Sequence, residues 1–234
     1  KNLVEKLAVS FNLNEGSWVL DPFCGGGTTL LACKELGINS MGFDILPFSV
    51  FLSNVKARTY DPRELRRQLK HFSAGNGAVP KNASLPDIAI VDKAFSEDVK
   101  KKLLSLKYKI KAIRNPEVRD FYMLGLLSIL ESVSNTSKSG GFLRITKKRI
   151  SGKDVYPKYL SRIEAMINDV EKFNDGLRFP RVKASAEISD SRQFSTTRKF
   201  DAIITSPPYP NRHDYTRIYG LEMIFDFIRD NDEL

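Results

Sequence analysis

The chain has 234 residues, 41% of them hydrophobic, and a formal net charge of +9, which suits one domain with a large insertion, or two domains, and excludes a disordered chain. No apolar run approaches the ~18 residues of a membrane span, and the charged N-terminus lacks a signal-peptide core, so a soluble protein is expected. Cys24 and Cys33 are the only cysteines and have no CxxC or Cys/His spacing, which excludes a disulfide framework and a structural zinc and predicts a reducing, cytoplasmic setting.

The run NLVEKLAVSF, residues 2–11, sets Leu3, Val4, Leu7, Ala8 and Phe11 at helical spacing and predicts a short amphipathic helix. Ser17-Trp18-Val19-Leu20 reads as a buried strand ending at Asp21-Pro22-Phe23. From Thr28 the pattern TTLLACKEL is helical, with Gly37 as its C-terminal cap. Between that strand and helix lies Cys24-Gly25-Gly26-Gly27. Glycines lack Cβ, so the backbone can turn tightly and a ligand can lie against it, while the helix N-terminus offers unpaired N–H groups. A Walker loop, GxxxxGK[ST], is absent, and Leu30 stands where the third glycine of GxGxxG belongs. Cys24 reads as loop filler and Cys33, on the helix face with Leu30, as core.

A second strand, Ser40 to Asp44, ends 23 residues after Asp21, close to the ~20 at which an acid meets a ribose hydroxyl in such sheets. Glycines under an uncharged part of a ligand and a carboxylate at its ribose match an adenosine without a pyrophosphate, and S-adenosylmethionine is a molecule of that kind. Pro47 opens another helix, to about Arg58. The β-loop-α-β-α order is the first half of a doubly wound α/β sheet.

From Asp61 to about Arg181 the stretches DPRELRRQLKHF, SEDVKKKLLSL, PEVRDFYMLGLLSILESV and YPKYLSRIEAMINDVEKF are helical in pattern, and Phe142 to Ile145 reads as a short strand. Residues 57–181 hold 26 Lys/Arg against 14 Asp/Glu, leaving 11 against 14 elsewhere. A single run such as Lys100-Lys101-Lys102 is an ordinary solvated helix face. A whole segment biased this way suits a polyanion, because each neutralised phosphate releases counterions. The sheet resumes with Val182 to Ile188, followed by Asp190, and with Phe200 to Thr205, which runs into the rigid corner Ser206-Pro207-Pro208-Tyr209; Thr216 to Ile228 predicts a last amphipathic helix. His71 and His213 have no Ser/Asp or Cys partner pattern and receive no general-base role.

The stretch DPFCGGGTT, residues 21–29, resembles the cofactor motif DPFxGxGTT of the amino-group methyltransferases acting on nucleic acid, and Ser206-Pro207-Pro208-Tyr209 looks like that family's catalytic motif, [DNS]PP[YFW]. The resemblance implies a Rossmann-like methyltransferase sheet and S-adenosyl-L-methionine as cofactor. It implies Asp21, Phe23, Gly25, Gly27, Thr28, Thr29, Asp44 and Asp190 as cofactor-binding residues, Asp190 accepting from the adenine amino group. It also implies Ser206, Pro207, Pro208 and Tyr209 as catalytic. The Ser206 hydroxyl and the Pro207 carbonyl would accept both hydrogens of an exocyclic amine whose lone pair is otherwise delocalised into the base; the prolines stiffen the corner, and Tyr209 stacks on the flipped base. In the family the Ser variant goes chiefly with the N4 amine of cytosine and the Asp variant with the N6 amine of adenine. DNA methylation at cytosine N4 is therefore expected, with N6-adenine methylation, methylation of a guanine amine in tRNA, and a nonenzymatic nucleic-acid-binding subunit as alternatives.

The expected organisation is a cofactor-binding half over 1–58, a basic helical insertion over 59–181 for target recognition, and a catalytic half over 182–234. Arg66, Arg67, Lys147, Lys148, Arg149 and Arg212 are the candidate DNA phosphate contacts, and no metal ligands are assigned. The family's insertion usually lies between its third and fourth strands; here it precedes the third. Four strands are counted and the sequence begins with Lys1 rather than Met, so the sheet is expected to be incomplete at its C-terminal end, with Leu234 closing a fragment or a second polypeptide completing the sheet. The resemblance implies a prokaryotic, nucleoid-associated protein of a restriction-modification system, with DNA and a cognate restriction endonuclease as partners.

Overall fold

The computed structural model describes residues 1–73, 79–80, 83–139, 142–148, 150–176, 179, 181–208 and 215–228. In chain order the elements are α1 (Asn2–Ser10), β1 (Trp18–Asp21), α2 (Thr28–Glu35), β2 (Asn39–Asp44), α3 (Pro47–Ala57), α4 (Pro62–Ser73), α5 (Ala89–Ala94), α6 (Glu97–Lys111), α7 (Pro116–Ile129), β3 (Thr136–Ser139), β4 (Phe142–Ile145), α8 (Gly152–Gly176), β5 (Ala184–Ile188), β6 (Ala202–Ile203), α9 (Tyr215–Ile218) and α10 (Gly220–Asp226). Contacts divide the chain into two units, Lys1–Thr59 with Lys172–Pro210 and Tyr60–Glu171 with Asn211–Leu234.

The first unit holds a parallel sheet in the order β5-β2-β1-β6. Its central strand β1 is buried along Val19, Leu20 and Asp21, as expected of a parallel strand covered on both faces, which reads as a continuous apolar run. One cluster joins Val4 and Ala8 of α1 to Val19, Ala32, Cys33, Ile38 and Ile204; a second joins Cys24 and Leu30 to Val50 of α3 and Ala186 of β5. The last sheet strand, expected over 200–205, is confined to Ala202 and Ile203, although Asp201 N–H donates to Trp18 O at 2.8 Å and Ile204 N–H to Leu20 O at 3.0 Å on either side of it. Pro207 and Pro208 have no N–H with which to continue a ladder. The open edge of β5 is partly blocked: Asn54 accepts from Ala186 N–H and donates to Ala186 O, both at 2.8 Å, replacing a neighbouring strand with a side-chain amide.

The second unit is mainly helical. Asn115 caps α7, its Oδ1 accepting from Glu117 N–H at 3.0 Å and Val118 N–H at 3.4 Å, with Pro116 at the first helical position. Tyr122 and Tyr159 are fully buried, as are Leu65, Leu103, Leu106, Ile110, Leu126, Leu127 and Ile163. The Tyr122 ring stacks on Phe72 with centroids 5.0 Å apart, and its hydroxyl donates to Leu65 O at 2.7 Å, so the buried polar tip is satisfied. The strand expected at 142–145 has a partner not expected from sequence: β3 pairs with it as an antiparallel hairpin, Thr136 opposite Ile145. The single helix expected over 216–228 is broken at Tyr219 into α9 and α10, and both group with this helical unit rather than with the sheet. Leu221, Met223, Ile224 and Phe225 are buried there, and Lys138 pairs with Glu222 and Lys107 with Asp226.

Candidate active site

In chain order the sheet strands are arranged third, second, first, fourth, so the direction of winding reverses between β1 and β6. Ligands in such sheets bind outside the carboxyl ends of the strands at that reversal. Because β1 and β6 are parallel neighbours, the glycine loop leaving β1 and the Ser206-Pro207-Pro208 corner leaving β6 emerge at the same edge. Asp21, almost wholly buried at the tip of β1, accepts from Thr205 Oγ1 at 2.7 Å and from Phe23 N–H at 3.2 Å. The segment after β5 joins them, Ser191 Oγ donating to Pro22 O.

The glycine loop is held from below. Cys24 N–H donates to Phe43 O at 2.9 Å and Gly27 N–H to Cys24 O at 2.8 Å. Ser53 Oγ of α3 donates to Gly25 O at 2.8 Å, and Lys56 Nζ donates to Gly26 O. Gly25 N–H donates to Asp44 Oδ2 at 2.9 Å, while Asp44 Oδ1 accepts from Leu46 N–H at 2.9 Å. Gly25 and Gly27 both have positive φ, 49° and 72°, but face different surroundings: a Cβ at Gly27 would lie 2.7 Å from Ser53 Oγ, whereas a Cβ at Gly25 would meet nothing within 4 Å. Gly27 is thus required by packing against α3, and the missing side chain of Gly25 leaves open space above the loop. That space, with Asp44 half-buried beside it, fits an adenosine: each carboxylate oxygen accepts one backbone N–H and has a second lone pair for a ribose hydroxyl. Phe23, Ile45 and Ile188, at or just beyond the ends of β1, β2 and β5, are exposed large hydrophobic side chains.

The other expected residues fall into three groups. Ser206, Pro207 and Pro208 are exposed beyond β6, and Thr28 is exposed at the start of α2, but Thr29 is buried. Asp190, expected to accept from an adenine amino group, is paired with Arg192: Arg192 Nη2 donates to its Oδ2 at 2.6 Å and Arg192 N–H to its Oδ1 at 2.9 Å, and the guanidinium holds the carboxyl down at about 2. Arg66 donates through Nε and Nη2 to Glu171, each at 2.8 Å, and Lys148 donates to the carbonyls of Glu131 and Thr136, so both are tied to their own unit; Arg67 and Lys147 are exposed. Tyr209, Arg212 and Arg149 lie outside the described residues.

Ser53, Lys56 and Thr205 were not expected from sequence. Ser53 and Lys56 appear there only as polar positions three apart on α3, one helical face by spacing, and Thr205 only as the end of a strand. Cys24, read as loop filler, is a core residue whose thiol burial pushes up to about 12. Among the described residues no group of three or more His, Cys, Asp or Glu is arranged to hold a metal ion, and no helix is long and apolar enough to cross a membrane.

A family model described as DNA methylase matches residues 2–53, the α1-to-α3 segment that contains the glycine loop and Asp44. The chain is similar to the Type II methyltransferase M.BsoBI of Geobacillus stearothermophilus, at 32% identity over 95% of this chain and 50% of that protein, and to the Type II methyltransferase M.AvaI of Nostoc, at 28% identity over 95% and 50%. It is also similar to the Type II methyltransferase M.MjaII of Methanocaldococcus jannaschii, at 34% identity over 47% of this chain and 21% of that protein. The chain spans about half the length of the first two of these curated relatives. No solved structure matches it.

Proposed function

This chain is related to the amino-group DNA methylases, which use S-adenosylmethionine, and from that premise we propose that its site transfers the cofactor's methyl group to the exocyclic N4 amine of a cytosine turned out of a DNA duplex. The observation that carries the reading is the hydrogen bond between Thr205 and Asp21, since it ties the segment that would present the base to the loop that would hold the methyl donor.

In this reading Asp44 accepts from the ribose hydroxyls and the open space over Gly25 receives the uncharged part of the cofactor, which supplies a methyl group on a positively charged sulfur. Ser206 Oγ and Pro207 O accept the two amine hydrogens, so the nitrogen lone pair is directed at the methyl carbon rather than into the ring. With the cofactor bound, the nitrogen would take the methyl carbon as the carbon–sulfur bond breaks and leaves its electron pair on sulfur, and one amine proton would leave to solvent. Tyr209 stacks on the base. Ser206 in the first position of the corner favours cytosine over adenine, and a cognate restriction endonuclease is the functional counterpart of such a modification.

The test is to incubate the protein with methyl-labelled cofactor and methyl-free duplex DNA, digest to nucleosides and identify the labelled product. 4-Methylcytosine is expected. 6-Methyladenine would overturn the choice of base, and label confined to RNA, or no transfer at all, would overturn the proposal.

A further inference from the structure

Between α7 and α8, within the helical unit, lies an open groove of about 730 Å³ whose lining includes Ser128, Ser132, Lys158, Ser161 and Arg162 and, among the described residues, no carboxylate. A smaller hollow at the α6–α7 turn also has cations, Arg67, Lys109 and Arg114, but includes Glu64, whose negative charge opposes an anion. The α7–α8 groove is therefore the better anion surface of the two.

Its two cations are held in place. Lys158 Nζ donates to Ser132 O at 2.9 Å, and Arg162 Nε donates to Ser128 Oγ at 3.0 Å, which itself donates to Gly125 O at 2.8 Å. An ammonium has three N–H donors and a guanidinium five, so these contacts fix the side chains while using a minority of their donors. Ordering them in the free protein reduces the entropy lost on binding. Ser161 and Arg162 lie three and four positions after Lys158 on α8, so both neighbour it one turn on, and the three polar side chains form a patch rather than a point.

We propose that this groove takes the phosphodiester backbone of DNA, Lys158 and Arg162 each meeting a phosphate and the serine hydroxyls adding neutral hydrogen bonds. The inference rests on DNA being the substrate, as proposed above. It assigns phosphate contact to two cations whose hydrogen-bond partners are neutral, unlike Arg66, whose charge is paired with Glu171.

The variant Lys158→Gln/Arg162→Gln, assayed for binding to duplex DNA across a range of salt concentrations, is expected to lower the slope of log affinity against log salt by about two, because each lost phosphate contact removes about 0.9. A merely structural role for these cations at the end of α7 would lower stability and leave the slope unchanged, which would overturn the proposal. Ser161→Glu covers the case in which the double variant fails to fold: it puts a carboxylate on an exposed position of the groove and is expected to weaken DNA binding with no change in melting temperature, and undiminished binding would overturn the proposal. So would preference for RNA over DNA. Cofactor binding and methyl transfer, measured separately, keep the two readings apart: a reduced slope in a protein that transfers no methyl group sustains the groove and removes the methyltransferase reading, and normal transfer with an unchanged slope does the reverse.

Discussion

Thr205 Oγ1 lies 2.7 Å from Asp21 Oδ1, a hydrogen bond that joins positions 184 residues apart. It connects the tips of two adjacent parallel strands on the side where both chains leave the sheet. Thr205→Val removes the donor while keeping the shape of the side chain, and is expected to leave cofactor affinity unchanged while slowing methyl transfer about tenfold or more, since ~1 Å of misplacement at a reacting centre can cost ~100-fold. Asp21→Ala is harsher: it removes the buried acceptor shared by the Thr205 hydroxyl and the Phe23 N–H and is expected to cost about 1–3 kcal/mol of stability. Single-turnover transfer rates and urea unfolding check the pair; an unaltered rate in Thr205→Val would remove the positioning role.

The two left-handed glycines separate folding from ligand binding. Gly27→Ala would drive a Cβ to 2.7 Å from Ser53 Oγ and 3.0 Å from Ser53 Cα and also pays the left-handed penalty of about 1–2 kcal/mol, so a clear drop in melting temperature is expected. Gly25→Ala carries the backbone penalty but meets no protein atom within 4 Å. Its main effect is expected on calorimetric affinity for S-adenosylmethionine, because the new methyl would project into the space the ligand needs.

Cys24 and Cys33 are buried, and burial pushes both thiols up to about 12. The thiolate is the reactive form, so neither is expected to react with a colorimetric thiol reagent at pH 8 in the native protein, and both are expected to react after denaturation. Rapid modification of native Cys24 would show the loop to be far more open than its packing against Leu30, Val50 and Ala186 allows.

The parallel core was readable because burial on both faces leaves a continuous apolar run: Val19 and Leu20 announce β1 before any partner is known. The glycine loop and Asp44 were readable because their backbone demands are local. By contrast β3, Thr136-Ser137-Lys138-Ser139, has no apolar alternation, and its extended form depends on pairing with β4. Ser53 and Lys56 were missed for a related reason: they matter only because α3 folds back under the loop. Asp190 is expected from its position alone, and its pairing with Arg192 two residues on is a turn geometry that the spacing does not settle. The separation of α9 and α10 from the sheet unit likewise depends on distant partners, Lys138 and Lys107.

Lys34 carries a pH dependence. It is buried on α2, its Nζ donating to Ala57 O and to Thr59 Oγ1, and burial lowers its pKa from 10.5 to about 8. Below about 8 the amine is protonated in both folded and unfolded chains, and the cost of burying the charge is present in full. Between about 8 and 10.5 the folded amine is neutral while the unfolded one still binds a proton, so stability rises with pH through that window. Denaturant midpoints measured for the natural chain and for Lys34→Met are expected to diverge in favour of the natural chain as pH increases from 8 to 10.5. A constant difference would show that Lys34 stays charged throughout.

Ser206 provides the most direct test of the proposed chemistry. Its side chain is exposed beyond β6, so Ser206→Ala is expected to change stability by less than about 0.5 kcal/mol, the usual range for a surface substitution. If Ser206 Oγ and Pro207 O share the two amine hydrogens, removing the hydroxyl leaves one hydrogen without its acceptor and lets the lone pair relax toward the ring. That interaction strengthens as the nitrogen becomes pyramidal, so the loss belongs mainly to the transition state and is expected in kcat rather than in affinity for DNA or cofactor. Loss of one such preorganised hydrogen bond elsewhere costs about 100- to 1,000-fold, and a decrease of that order in single-turnover methyl transfer is expected, with cofactor affinity within about twofold of the natural chain. A variant that transfers methyl groups at the original rate would show that the Ser206 hydroxyl does not hold the amine.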